Sequence, residues 1–165
     1  MSDKEKNWTI LYDKYPRLFE NRHKTPMESC MSFGVEVGKG WYDIISDLCF
    51  MIAQHERNIE GNNKYRISQN KEPVEYYPVK FDQVKEKFGG LRVYFSGGDD
   101  YVEGLVSMAE AWSYKTCERC GEKGKPNQKG WIMTLCDNCW EADVMTKVGE
   151  AFDKSSEETR NESNN

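Results

Sequence analysis

The apolar residues change period along the chain. Trp41, Ile44, Ile45, Leu48, Ile52 and His55 recur on one helical face, with Asp43, Asp47, Gln54 and Glu56 largely off it, which predicts a helix over 41–57. Ahead of it, Trp8 to Phe19 mixes aromatic and apolar residues around Pro16, which interrupts any helix there. Phe33, Val35 and Val37 alternate as a short strand would. Residues 58–75 carry few apolar positions and contain Gly61-Asn62-Asn63, so they read as a polar loop or insertion.

From Glu75 the period shortens to two. Tyr77, Val79, Phe81 and Val84 precede Phe88-Gly89-Gly90-Leu91, a turn candidate, after which Leu91, Val93 and Phe95 alternate with Arg92 and Tyr94. This is the pattern of a hairpin with one apolar face. Asp100 with Glu103 marks the start of a second helix, on which Tyr101, Leu105, Met108 and Trp112 form one stripe, with Val102 and Ala109 beside it. The expected fold class is α+β: a small hairpin or sheet packed with two main helices, ending in a treble-clef-like zinc finger.

With 165 residues, 38% of them hydrophobic, the chain has room for one domain with a small appendage. Charged residues make up 31% and mean hydropathy is -0.85, so no run approaches the roughly 18 apolar residues of a membrane span. The first residues, Met1 to Asn7, lack the apolar stretch of a secretion signal. Net charge is -5, and from Glu141 onward seven acids meet only three bases, so the body before it is close to neutral. That balance argues against coating nucleic acid over the whole surface. The expected organisation is an α+β body over 1–114, a zinc-binding module over 115–152, and a disordered acidic tail over 153–165.

Cys117-Glu118-Arg119-Cys120 and Cys136-Asp137-Asn138-Cys139 are two C-x2-C pairs separated by fifteen residues, a spacing typical of four-thiolate zinc sites. Each pair grips one side of a tetrahedron, and Gly121 suits a tight knuckle. Lys125 to Thr134 can fold back as a short hairpin around Gly130, and Trp140, Val144, Val148 and Phe152 share a face of a helix opened by the second pair. Four sulfurs leave no position for an activated water, so the expected Zn2+ is structural. Two disulfides or a redox dithiol are the competing readings; neither an export signal nor a βαβ context supports them. Cys49, on the apolar helix, is expected to be a buried thiol. Cys30 has no neighbouring histidine to activate it.

Catalytic signals are sparse. His23 and His55 both precede the first zinc cysteine, which removes a histidine-dependent treble-clef nuclease, and no Asp/Glu-x-Lys triplet occurs. Gly34 and Gly38 are one residue too close for a phosphate loop, and Gly40 stands where its hydroxyl residue would follow Lys39. His55, on an apolar helical face, reads as a satisfied core residue, and Asp99-Asp100 as a helix cap. A hydrolase using Asp99, Asp100 or His55 is a remote alternative. Binding chemistry is better represented. Lys80, Lys85, Lys87 and Arg92 interleave with Phe81, Phe88 and Tyr94 around the hairpin, and Lys115, Arg119, Lys123, Lys125 and Lys129 flank the knuckle. Lys85, Lys87, Arg92 and Tyr94 are the candidate ligand-binding set, offering cations for phosphate and a ring for stacking. A solvated strand face with ordinary lysines accounts for the same residues equally well.

Lys85-Glu86-Lys87-Phe88-Gly89-Gly90-Leu91-Arg92-Val93-Tyr94, the helix from Tyr101 through Met108-Ala109-Glu110, and Cys117-x2-Cys120-Gly121 with Gly130-Trp131 and Leu135-Cys136-x2-Cys139 together resemble a family of small bacteriophage and prophage proteins. The match covers roughly residues 76 to 140. The resemblance carries no established activity. It implies a phage origin, expression in the bacterial host cytoplasm, and an accessory role. By analogy with other small accessory phage proteins, it points to a non-enzymatic anti-defence protein that binds and neutralises a host protein or an anionic signalling nucleotide. A zinc-finger regulator that binds nucleic acid is the alternative. The oligomeric state is not legible.

Overall fold

The computed structural model describes residues 7–127 and 130–144. Its first helix, α1 (Trp8–Lys14), is capped by the Asn7 side chain, which accepts from the Thr9 amide at 3.0 Å. The chain leaves the helix at Tyr15, ahead of Pro16, and plants Leu11, Leu18 and Phe19 in the core. A short strand, β1 (Val35–Glu36), leads through a 3-10 turn (Lys39–Trp41) into the long α2 (Tyr42–Ser68). The hairpin follows as β2 (Lys80–Lys87) and β3 (Gly90–Ser96), then α3 (Asp100–Ser113), and finally the small strands β4 (Lys125–Pro126) and β5 (Thr134–Leu135). A last helix, α4, starts at 137 and is described to 144.

The main sheet has the order β1-β2-β3, with β1 parallel and β3 antiparallel to β2. This is an α+β fold. One core cluster joins Trp41, Ile45 and Ile52 of the α2 region to Phe81 and Val84 of β2, Leu91 of β3 and Val102 of α3. The two-residue hairpin turn has positive φ at both positions, 54° at Phe88 and 75° at Gly89, as a right-twisted hairpin requires. Phenylalanine is a costly choice there, because its Cβ crowds the following carbonyl. The outward edge of β3 is closed by α3: the Leu91 amide donates to Ser113 Oγ at 2.8 Å, and the Val93 amide to Glu110 Oε1 at 3.0 Å.

Three expectations change. α2 does not stop at residue 57 but continues through most of the stretch expected to be a polar loop. There the returning segment supplies what an apolar face would otherwise provide. Asn63 and Val74 exchange two hydrogen bonds at 2.9 and 2.7 Å, and Arg66 Nε donates to the Glu72 carbonyl at 2.7 Å. Segment 69–79 carries no regular secondary structure, so the loop reading holds only for that later part.

Glu56, expected off the apolar stripe, is buried. Its carboxylate accepts from the Val79 amide at 2.8 Å and from Arg17 at 2.7 Å, so the charge is paired and hydrogen-bonded. The stripe of α3 is rotated as well. Val102, Leu105, Val106 and Ala109 face the core, while Tyr101, Met108 and Trp112 remain 48%, 60% and 61% exposed. The helix lies close enough to β3 for its side chains to accept from the strand's amides, and small residues fit that spacing better than an indole.

Candidate metal centre and recognition surfaces

The metal knuckle grows directly out of α3. After the helix ends, the Cys117 amide donates to the Glu122 carbonyl at 2.7 Å and the Gly121 amide to the Cys117 carbonyl at 2.9 Å, folding Cys117 and Cys120 into one tight turn. β4 and β5 pair antiparallel with Lys125 opposite Leu135, and Asn127 braces their connection by accepting from the Met133 amide at 2.6 Å. α4 then opens at the second pair, with the Cys139 amide donating to Cys136 Sγ at 3.4 Å. A helix N-terminus favours a thiolate in that place. Knuckle, hairpin and helix follow one another in treble-clef order.

The four Sγ atoms of Cys117, Cys120, Cys136 and Cys139 lie within 4.8 Å of one another, and Cys120 and Cys136 approach to 3.6 Å. All four are free thiols. Tetrahedral coordination at about 2.3 Å per sulfur sets neighbouring sulfurs about 3.8 Å apart, so the donor set fits a four-coordinate metal ion. Burial works against ionising Cys117, yet backbone N–H groups of Cys136, Cys120 and Arg119 outweigh it and bring the thiol down to about 7. Cys139 is pushed up, chiefly by burial and then by its sulfur neighbours. Four thiols crowded together resist sharing negative charge until a cation offsets it.

The knuckle is seated on the body by backbone contacts. Gly40 donates to the Glu118 carbonyl at 2.7 Å, Gly38 to the Glu118 carboxylate at 2.9 Å, and Trp41 Nε1 to the Thr116 carbonyl at 2.8 Å. Burial pushes the Glu118 carboxyl up, against the pull of that Gly38 amide. A Cβ at Gly40 would lie 2.1 Å from the Cys117 carbonyl oxygen, and one at Gly38 would lie 2.3 Å from that of Glu118. The glycines around Lys39 therefore admit the knuckle. On the other side, the hairpin turn meets β5, where Thr134 Oγ1 donates to the Gly89 carbonyl at 2.5 Å, and Gly90 lies under the Tyr114 ring. Neither contact has a signature in sequence spacing; only the glycines themselves hinted at close approach.

The candidate ligand-binding residues share one strand face, since Lys85 pairs with Arg92 and Gln83 with Tyr94. Lys85 Nζ sits 5.4 Å from the Tyr94 ring centroid, and Lys87 Nζ sits 5.5 Å from that of Phe88. Arg92 is turned inward, donating to Tyr114 Oη at 2.7 Å and lying 3.7 Å from Glu110. Other cations near the hairpin and knuckle also meet carboxylates: Lys80 with Glu20 at 3.0 Å, Arg119 with Asp143 at 2.6 Å, and Lys125 with Asp137 at 2.9 Å. Lys129, counted in the basic group at sequence level, lies outside the described residues, as do Val148, Phe152 and the 153–165 tail.

His55 and Asp99, far apart in sequence, meet at 2.8 Å through Nε2 and Oδ2, and the ring stacks on Tyr101 at 4.4 Å. Asp99, rather than Asp100, caps α3, its Oδ1 accepting from the Val102 amide at 3.3 Å. Burial opposes ionisation of Asp99, but the hydrogen bonds from His55 and Val102 hold its carboxyl below the ordinary range. Cys49 is fully buried and its thiol is pushed up by that burial; Cys30 is exposed. Comparison with protein-family profiles, with curated proteins and with solved structures found no match.

Sequence reasoning passed over one surface, an open groove of about 360 Å³ between α2 and α3. Leu48, Leu105 and Ala109 form its floor, and Met51, Met108 and Trp112 its walls. Gly40, Thr116 and Gly121 close the end nearest the knuckle. The groove's sequence signal lies in the large apolar residues of α3, whose helical stripe does not by itself say which of them face solvent. Among the described residues no helix is long and apolar enough to cross a membrane.

Proposed function

We propose that the chain is a phage-encoded, non-enzymatic accessory protein that binds and neutralises a host factor in the bacterial cytoplasm, built around a structural Zn2+. Cys117, Cys120, Cys136 and Cys139 hold the ion, which supplies cross-linking and no open coordination position. The observation that carries the reading is the pairing of this closed donor set with an apolar groove that the chain's described residues leave open. Recognition needs such a surface, whereas metal-assisted bond cleavage needs a vacant ligand position.

A host protein suits the geometry better than an anionic signalling nucleotide or a nucleic acid. Arg92 is engaged by Tyr114 and Glu110, and several neighbouring cations face carboxylates, which lowers the positive potential that phosphate would meet. Lys85, Lys87 and Tyr94 remain the set through which a nucleotide would be held. The hydrolase alternative gains the contact between His55 and Asp99. Both Asp99 oxygens, however, already serve that contact and the α3 cap.

Affinity capture of the full chain from infected bacteria, with metal analysis of the same material, tests this reading. Stoichiometric zinc and a stoichiometric host protein are expected. Retention of the fold without metal, capture of nucleic acid with steep salt dependence, or turnover lost in His55→Ala would overturn it.

A further inference from the structure

We propose that the tip of the β2–β3 hairpin is a preformed anchor: Phe88 enters an apolar pocket of the partner protein, and Lys85 and Lys87 meet carboxylates on its rim. The inference rests on the reading of the chain as a protein-binding module and adds a contact apart from the α2–α3 groove. Phe88 stands at φ 54°, in a turn position that asparagine, aspartate or glycine fills with less strain, and its side chain is 67% exposed. The fold thus bears backbone strain for a ring that adds little to its own core. Strain without a packing return points to a contact outside the chain. The backbone of the tip is also held in place. The Gly89 amide donates to Glu86 Oε1 at 2.6 Å, and the Gly89 carbonyl accepts from Thr134 Oγ1 at 2.5 Å. Ile132 leaves no room for a Cβ at Gly89. An anchor already fixed in its bound geometry loses little conformational freedom on docking.

Charge names the partner. Of the four cations on the hairpin strands, Lys80 pairs with Glu20 and Arg92 with Glu110, whereas neither Lys85 nor Lys87 has a carboxylate partner among the described residues. Glu36 lies opposite Lys85 in the β1–β2 register but forms no ion pair with it, and Glu86 is engaged by the Gly89 amide. The two ammonium groups rest instead on rings, Lys85 on Tyr94 and Lys87 on Phe88 itself. An aromatic side chain flanked by two such cations is complementary to an apolar pocket with an acidic rim. The same arrangement disfavours phosphate-bearing partners. One face of each ring is already covered by an ammonium, so insertion edge-first is easier than stacking against a base. The net charge of -5 repels a polyphosphate or an anionic bilayer, while two local cations can still meet two carboxylates.

The test measures binding of the zinc-loaded full chain to the host protein it captures from infected bacteria. Single-stranded oligothymidine and vesicles of phosphatidylcholine and phosphatidylglycerol in equal parts serve as competing probes. A zero-length carbodiimide reagent joins an amine only to a carboxylate in contact with it, and is expected to link Lys85 or Lys87 to an aspartate or glutamate of the host protein. Phe88→Asn should weaken binding by roughly tenfold or more while raising the chain's urea midpoint. The double change Lys85→Gln, Lys87→Gln should also weaken binding, with zinc content unchanged. A purely structural Phe88 would leave binding as it is when stability rises. Unchanged binding in Phe88→Asn, carbodiimide links confined to other lysines, or binding of oligothymidine or vesicles that is lost in the same variants would overturn the proposal. A captured host protein indifferent to these substitutions would leave the host-binding reading intact and refute only the tip. Failure to capture any host protein would refute both.

Discussion

The hairpin tip and the α2–α3 face both bring large apolar side chains to the surface of the fold, but the chain treats them differently. At the tip, Gly89, Gly90 and their neighbours are met by Thr134, Ile132 and Tyr114, and across the knuckle Gly38 and Gly40 let two backbones touch. Along α2 and α3, Met51, Met108 and Trp112 stay largely exposed among the described residues. The first region is closed by contacts that tolerate no added atom; the second keeps side chains that can repack. On the proposed reading, stability and recognition by the groove fall to these two different regions, and a substitution should disturb one without the other.

The largest effect should come from the metal. Chelation, or Cys136→Ser, removes a binding energy on the order of 10 kcal/mol. It should free residues 115–144 from the body, seen as loss of amide protection at Gly40 and Glu118 in hydrogen exchange. Next is Gly40→Ala, which places a methyl group against the Cys117 carbonyl and should cost about 3 kcal/mol or more in denaturant unfolding. If that variant unfolds like the parent, the tight half of the comparison is wrong.

A gain is expected at the turn. Phe88→Asn creates an Asn-Gly pair at two positive-φ positions and should stabilise by about 1 kcal/mol, measured as a raised urea midpoint. Acid provides a smaller lever at the far end of the groove. The Asp99 carboxyl is held below its usual 3.8, so its contribution is complete at neutral pH and disappears as pH falls through and below that value. Asp99→Asn should flatten this acid limb of the melting-temperature profile. Smallest in stability is Trp112→Ala, expected within about 0.5 kcal/mol of the parent by calorimetry despite the size of the deletion. A large loss there would mean that the indole belongs to the core.

What could be read from sequence was whatever depended on local spacing. The C-x2-C pairs, the period-two run into Phe88-Gly89, and the apolar face from Trp41 to Ile52 each encode their own geometry, and the structure reproduces these elements. Contacts between distant segments left weaker traces. Residues 58–68 hold their helix through Asn63 and Arg66 bonding to the returning backbone, which no apolar periodicity announces. Glu56 lies one turn beyond Ile52, so the stripe itself could have placed it, but its partner Arg17 could not be inferred. Tyr101, Met108 and Trp112 share a helical stripe with Leu105, and spacing alone does not distinguish the buried Leu105 from its three exposed neighbours. The glycines around Lys39 resembled an anion loop for the reason that matters structurally, a backbone needing room, although it is the Cys117 and Glu118 carbonyls that approach.

The seat formed by Gly38, Gly40 and Trp41 has a consequence for biosynthesis. Ribosomes add roughly 5–20 residues per second, so Cys117 is made about four to fifteen seconds after Gly40. The platform is therefore waiting, already attached to its long helix, when the last cysteines emerge. Capture of an ion by the four thiols would then close the assembly and work as a final inspection, because a nascent chain damaged early in its length would offer the thiols no place to settle.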